Sequence, residues 1–451
     1  MPADNKMPKR PDALWRMSRL SLALALTLGA ASAVRAQSLL ELYEAARAYD
    51  ATYLAARSQA DSSQYRAAQA DALNRPSVGV GVTGTRTETD LPRPPNRVDS
   101  TTVQAGLTAK YALYNRANRF SIDQAQRSLG IAQADLEAAE QDLIVRVAQA
   151  YFDVLAAQDV LGTTKANKTA IAEQLASAKR NFEVGTATIT DTREAQASFD
   201  RATAREIAAD NDLRVKRVSL DQIVGRLGVA PKPLAQPVAL PAMTPMTVDP
   251  WVSLADEQHP LVRKAKLGLE VARLETGKAR AAEAPTVDLT GTLASTNARG
   301  NGATMPGTTG VASVGVALNM PLYTGGATGN RIKETVALEE RSRNDLEFAR
   351  RAVTENTKRA FFGVQSGLAQ VKALEAAESS SRLALEATQL GYKVGVRVNL
   401  DVLNAQTQLF STQSDLAKAR YDVVLTSLKL RQASGQLKPE DVAAVNQLLV
   451  K

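Results

Sequence analysis

The chain has 451 residues, 44% of them hydrophobic and 23% charged, a net charge of +8, one histidine and no cysteine. Without cysteine there is no disulfide, thiolate metal site or cysteine nucleophile, and the single His259, beside Pro260, builds neither a zinc cluster nor a Ser-His-Asp set. Half of the positive surplus lies in residues 1–36 and no basic tract with interleaved aromatics follows, so the charge is a solvated mixed surface with no nucleic-acid footprint.

Residues 1–36 read as a secretory signal peptide. Lys6, Lys9, Arg10, Arg16 and Arg19 precede the apolar run Leu20–Ala30, and small residues follow with candidate cleavage sites after Ala33 and Ala36. Cleavage after Ala36 leaves Gln37 first. The run is short for a retained anchor, which needs about 20 apolar residues, and no later segment reaches about 18. A leader on a cysteine-free chain fits a bacterial envelope protein.

The rest is a duplication, the feature to seek before any other. Residues 181–200 and 391–410 repeat one pattern at an offset of 210: Phe182, Val184, Gly185 and Asp191 recur as Tyr392, Val394, Gly395 and Asp401. Leu136 meets Leu346, Ala150 meets Ala360, Asp212 meets Asp422 and Gly225 meets Gly435 at the same offset. The chain therefore divides into a first repeat at 37–225, a Pro-rich connector at 226–250, a second repeat at 251–435 and a tail at 436–451.

Each repeat opens with a helix, expected over Leu39–Leu73 and Val252–Ala282, stopped by the prolines at 76 and 285. A strand pair follows, within 78–111 in the first repeat and 286–320 in the second. Val78–Thr87, Thr102–Tyr111, Thr286–Ser295 and Val311–Met320 alternate apolar with Gly, Thr or other polar residues. Segments of about ten residues suit a tilted bilayer-crossing strand, although a soluble hairpin alternates in the same way. Thr89–Thr101 and Thr296–Gly310 are expected as exposed loops. Gly79, Gly81 and Gly84 match G-x-G-x-x-G, but they alternate inside a strand and open no helix, so no dinucleotide site is expected.

The long helices are expected over Phe120–Glu183 and Arg331–Lys393. Their apolar positions recur at three and four, through Leu143, Val147, Val154, Leu161, Ile171 and Leu175 in the first, which argues for coiled-coil packing. Tips at 184–190 and 394–400 lead to returning helices over Asp191–Val224 and Asp401–Ser434, closed by Gly225 and Gly435. An opening and a returning helix together match one long helix in length, which predicts a tall cylinder with half-length helices stacked end to end. The tail is expected to form a short helix starting near Pro439. Four lipid-facing strands cannot close a barrel, since known ones start at about eight strands. A dimer would supply eight and a trimer twelve; the residues alone do not choose.

The duplicated tips LGYKVGVRVNLDVLNAQTQLF and NFEVGTATITD, with the junctions Leu113-Tyr114 and Leu322-Tyr323-Thr324-Gly325-Gly326, resemble the TolC-like outer-membrane efflux proteins over essentially all of the mature chain. The resemblance implies a mainly α fold with a membrane β-barrel: an internally duplicated helical coiled-coil barrel with four strands per chain, completed to twelve strands in a homotrimer. It implies an exit duct for efflux or type I secretion in the outer membrane of a Gram-negative bacterium. Its partners would be outer-membrane lipid, a periplasmic adaptor (membrane fusion) protein and an inner-membrane ABC or proton-driven transporter, with no cofactor, no metal and no enzyme activity. The implied aperture gate is Thr190, Asp191, Tyr392, Arg397, Asp401 and Asn404, with Asp191 accepting from Tyr392 and pairing with Arg397. Asn404 stands where an acid is frequent, which lowers the charge of the ring. The implied docking tips are Val184, Gly185, Val394 and Gly395. Asp191 and Asp401 also open helices and are candidate N-caps on that ground alone. The rival reading is a soluble periplasmic coiled-coil adaptor, which generally carries one hairpin where this chain has two, each after a strand pair.

Overall fold

Ser38 and Glu41 cap each other reciprocally and start the first helix, α1, Leu39–Tyr49. A computed structural model describes residues 36–450 except 95, 96, 236, 239, 241 and 242; the expected leader at 1–36 lies outside the described residues but for Ala36. The elements that follow are α2 (Ala51–Asp71), β1 (Ser77–Asp90), β2 (Arg97–Tyr114), α3 (Arg116–Glu183), α4 (Ile189–Val224), α5 (Val248–Gln258), α6 (Pro260–Ala281), β3 (Thr286–Arg299), β4 (Gly307–Asn319), α7 (Ala327–Lys393), α8 (Asn399–Ala433) and α9 (Pro439–Asn446).

Both opening helices are broken, where the sequence leads one to expect unbroken ones. The first stops at Asp50, whose side chain caps the next helix by accepting from Tyr53 N at 2.8 Å. The second stops at His259, which caps α6 by accepting from Leu261 N at 3.1 Å, with Pro260 at the first helical position, where its missing N–H costs nothing. The breaks match to within one residue under the duplication: Asp50 and His259 are 209 apart, and His259 corresponds to Tyr49, the last residue of α1. Gly225, ending α4, packs on Tyr49, and Gly435, beyond the end of α8, packs on His259.

α2 and α4 each lie along α3, and α6 and α8 each lie along α7. The stacked columns therefore use 21 and 36 residues against the 68 of α3, and 22 and 35 against the 67 of α7. The end-to-end arrangement holds, but only the second piece of each opening helix belongs to it. α3 also packs on α6 and α8, which joins the halves into four neighbouring columns. At 1.5 Å per residue the 68-residue helix is about 100 Å long.

α1 packs on α3, α4 and α9. There Leu39, Leu42 and Tyr43 meet Leu143, Ile144 and Tyr151 in the largest core, with Leu437, Val442 and Leu449 from the tail. The connector threads through this region. Val229 and Leu234 are buried, Lys232 O accepts from Tyr151 Oη at 2.7 Å, and Leu234 bridges Leu449.

Arg146 anchors the first break. Its Nη1 and Nη2 donate to Asp50 Oδ2 and Oδ1 at 2.8 and 3.1 Å. This guanidinium holds the Asp50 carboxyl below the usual carboxylate range, helped by the Tyr53 amide and opposed by burial. A depressed carboxylate stabilises the fold above its unfolded pKa and loses that contribution as pH falls through the lower folded value. Asp50→Ala is expected to cost about 2–3 kcal/mol at pH 7, combining a lost cap with a lost charge-assisted bond. The difference should shrink once pH drops below about 4. Guanidinium midpoints of both proteins at pH 7 and pH 3 would check this; equal differences at the two values would refute it.

The sheet runs β1-β2-β3-β4, antiparallel throughout. Its strands are longer than expected. Glu88 pairs with Asp99 and Asp90 with Arg97, so much of the predicted loop at 89–101 is ladder.

Candidate functional site

Two features of this fold can carry function: the sheet face and the helical tips. Register places the side chains of the sheet. Val80 faces Leu107, Leu107 faces Leu293 and Leu293 faces Ala312, and in an antiparallel pair opposed residues share a face. Val78, Val82, Val103, Tyr111, Leu289, Val314, Val316 and Leu318 fall on that same face by the same registers. It is apolar and open to its surroundings: Val80 is 76% and Val314 83% exposed. The opposite face carries Thr83, Thr102, Gln104, Thr108, Thr290, Thr292 and Ser313, and there Lys110 Nζ meets Asp288 at 3.0 Å.

Near the helical end a bulge adds one residue between Ala112 and Tyr114. The extra residue returns Tyr114, opposite Val287, to the apolar face that already holds Tyr111. Two tyrosines thus mark the edge of the band. From Val103 to Tyr114 it measures roughly 33 Å along the strand, or about 25 Å in height at the usual tilt, the height of the lipid-facing band of a membrane barrel.

The tips are built twice from identical hydrogen bonds. Gly185 N donates to Phe182 O and Thr186 N to Asn181 O, at 3.0 and 2.8 Å; Gly395 N donates to Tyr392 O and Val396 N to Gly391 O, at 3.1 and 2.9 Å. This is the Schellman ending of a helix, and it needs its glycine in the left-handed region. Gly185 has φ +77° and Gly395 φ +81°. Around each turn apolar side chains stand in solvent: Val184 is 73% and Val396 76% exposed, with Phe182, Ile189, Val394 and Val398 beside them. Phe182, though it stands seven residues after Leu175 in the spacing of the stripe, is exposed. Contiguous exposed apolar residues mark a contact surface.

The gate residues are distributed differently from the implied pairing. Asp191, Tyr392 and Arg397 do line one cavity of about 690 Å³ between the hairpins. Yet Asp191 Oδ2 accepts from Thr188 N and Thr188 Oγ1 at 2.9 and 2.7 Å, forming its own capping box. A carboxylate at the third position of a helix reaches its own unpaired amide without ordering any remote side chain, and here the local bond wins. Arg397 lays its stem across Gly391 and reaches Asp401 at 3.7 Å, an exposed pair. Tyr392 Oη accepts from Asn181 Nδ2 at 3.4 Å. Thr190 is exposed on the first turn of α4. Asn404 lies in a separate cavity of about 540 Å³ with Asn167 and Arg205. Near the tips, Asn181 donates to the anticipated Tyr392 and Gln174 to Asn399 across the hairpins, and Asn181, Gln174 and Asn399 were not anticipated. Single amides 211 and 225 positions apart leave no pattern in a sequence.

Comparison with known proteins completes the description. The family described as outer membrane efflux protein matches residues 42–226 and again 251–436, once for each repeat. The outer membrane protein TolC of Vibrio cholerae is 32% identical over 420 residues, covering 92% of this chain and 94% of that protein. The alkaline protease secretion protein AprF of Pseudomonas aeruginosa is 33% identical over 325 residues, 70% of this chain and 67% of that one. Among solved structures, the outer membrane protein VceC of Vibrio cholerae superposes with a TM-score of 0.74 at 20% identity, over 88% of this chain and 96% of that chain. A Pseudomonas aeruginosa membrane protein does so with 0.78 at 21%, over 90% and 98%. At these identities the two structures speak for the fold alone.

Proposed function

The chain belongs to the outer membrane efflux protein family, and on that premise we propose that it forms the outer-membrane exit duct of an efflux or type I secretion system. The observation that carries the reading is the sheet: one continuous apolar face about one bilayer core in height, joined directly to helices of 68 and 67 residues. The duct is a homotrimer. β1 and β4 are unpaired edges in one chain, and joining β1 of one protomer to β4 of the next gives twelve strands and no edge. The same operation brings four helical columns per protomer to twelve around a lumen. Residues 1–36 are the leader, and the repeats at 37–225 and 251–435 supply equal halves of each protomer.

The tips at Val184, Gly185, Val394 and Gly395 take a periplasmic adaptor, which couples the duct to an ABC or proton-driven pump. Thr190, Asp191, Tyr392, Arg397, Asp401 and Asn404 line its narrow end, and cargo crosses without cofactor or catalysis. The test is reconstitution: a heat-modifiable oligomer and discrete single-channel steps in planar bilayers support the duct. Recovery from the soluble periplasm without detergent would support the adaptor reading instead.

The docking surface has its own test. A Cβ at Gly185 or Gly395 meets no atom within 4 Å, so the strain of a substitution falls first on the backbone. Gly185→Val with Gly395→Val distorts each turn by about 1–2 kcal/mol, too little to unfold helices of this length. Export is expected to fall at least about tenfold with oligomer yield unchanged, since a tip displaced at two positions loses more than about 1.4 kcal/mol of docking. Normal export by this variant would remove the tips from the docking surface.

A further inference from the structure

The two ends of the apolar band are finished differently. Membrane barrels carry aromatic girdles at both interfaces. Tyr111 and Tyr114 mark the helical end of this band, whereas residues 77–110 and 286–320 contain no Phe, Tyr or Trp, so the far end has none. Arginines stand there instead. Arg86 pairs with Thr101 and Thr101 pairs with Arg299, which sets the three in one row across β1, β2 and β3. Register puts that row on the apolar face, two residues beyond Val103. Two residues are about 7 Å of strand, or roughly 5 Å in height at the usual tilt, which falls inside the headgroup layer of a bilayer.

The row is open and held in place. Adjacent strands lie about 4.8 Å apart, so the Arg86 and Arg299 backbones are about 10 Å from each other and both guanidiniums can reach one headgroup over Thr101. Arg86 meets Glu88 at 3.5 Å yet is exposed. Arg299 is exposed, gives one N–H to Asn297 Oδ1 at 3.1 Å, and meets no carboxylate among the described residues. The turn after Arg299 clamps onto β2: Asn301 Oδ1 accepts from Asp99 N at 2.7 Å and Gly302 N donates to Asp99 O at 2.8 Å. Gly300, at φ +111°, passes so near Asp99 O that a Cβ there would stand 2.2 Å away. The end of β3 is therefore fixed beside Thr101. A guanidinium takes phosphate through two parallel hydrogen bonds. Glu88, Asp99 and Asp90 stand one and two rows farther out on the same face. We propose that Arg86, Thr101 and Arg299 bind the phosphates of an anionic lipid in the outer leaflet, anchoring the far end of the sheet as the tyrosines anchor the near end. The row continues the lipid-facing band, so the acyl chains of such a lipid lie against Val82 and Val103, a contact that a free anion lacks. The inference rests on the exit-duct reading above.

The experiment is a binding titration of the heat-modifiable oligomer of the full chain, in detergent, with bisphosphorylated lipid A and with the same lipid after both phosphates are removed. The phosphorylated form should bind at least about tenfold more tightly, since each arginine near a charged lipid surface contributes on the order of 1 kcal/mol. Arg86→Gln with Arg299→Gln should abolish that preference while leaving the binding of the dephosphorylated lipid unchanged. Equal binding of the two lipids by the unmodified oligomer would overturn the proposal without any variant. So would a preference that survives in the double variant. Displacement of the phosphorylated lipid by an equal concentration of inorganic phosphate would make the row a free-anion site and overturn the assignment to lipid. Failure of the chain to yield any heat-modifiable oligomer would instead overturn the duct reading, and this inference with it.

Discussion

Val80→Arg combined with Val314→Arg is expected to abolish assembly in the membrane. Both positions lie on the apolar face, in β1 and β4, the outer strands of one protomer. They are 76% and 83% exposed, so neither substitution creates a clash or a cavity, and the whole effect comes from what surrounds the face. In water two arginines on an exposed sheet would be close to neutral. In hydrocarbon each costs about 2–4 kcal/mol near the midplane, and the proposed trimer would carry that cost three times. The control is Thr108→Arg with Ser313→Arg, on the opposite face of inner and outer strands, where a charge would meet lumen water. The measurement is the yield of heat-modifiable oligomer in outer-membrane fractions. Loss in the first variant and recovery in the second assigns the faces; equal recovery would show that the apolar face never meets lipid.

The second large effect is a contrast between two glycines. Gly435→Ala is expected to destabilise the chain by about 3–5 kcal/mol, and Gly225→Ala by about 1–2. Both have left-handed backbones, φ +73° and φ +70°, so the conformational cost is shared. The difference lies in what the new methyl group meets. At 435 it would stand 2.6 Å from His259 Cα and 2.8 Å from His259 N, main-chain atoms fixed by the capped break between α5 and α6. At 225 it would meet the Tyr49 ring at 2.4 Å, but Tyr49 is 58% exposed and can swing into solvent. Guanidinium unfolding followed by helical circular dichroism would separate the two. Equal midpoints would mean that backbone conformation sets the cost at both sites, and that the stacked columns do not depend on the fit at His259.

What the sequence made legible was whatever is written locally and twice. The Val-Gly tips, the glycines at 225 and 435 and the alternation in the strands each rest on one backbone conformation or one period. Duplication at a fixed offset raised those signals above chance. The break at His259 was also within reach, because a residue before proline leaves the helical region and proline favours the first helical position. The break at Asp50 was not, since Ala51-Thr52-Tyr53 continues a helix as well as it starts one. Its position is set by Arg146, 96 residues away. The strand ends were misjudged because the ladder beyond Thr87 is polar and held by neighbours such as Arg97 on Glu88, which alternation of apolar residues cannot register. At the tips, Thr188-x-x-Asp191 is a capping signature and the structure uses it as one. The amide contacts join single residues across the fold and have no sequence pattern.

The unpaired margins of the sheet decide how such a molecule can be made. In β1 about every second residue turns a bare amide and carbonyl outward, some seven of the 14, and β4 does the same. In hydrocarbon each bare group costs several kcal/mol, so a solitary subunit cannot wait in the bilayer for its neighbours. Insertion and association must be one event, and a defective copy cannot be diluted out. In the homotrimer proposed above, faulty and sound chains made in equal amounts would leave only about one assembly in eight free of a faulty copy, so lesions at these margins should behave as dominant.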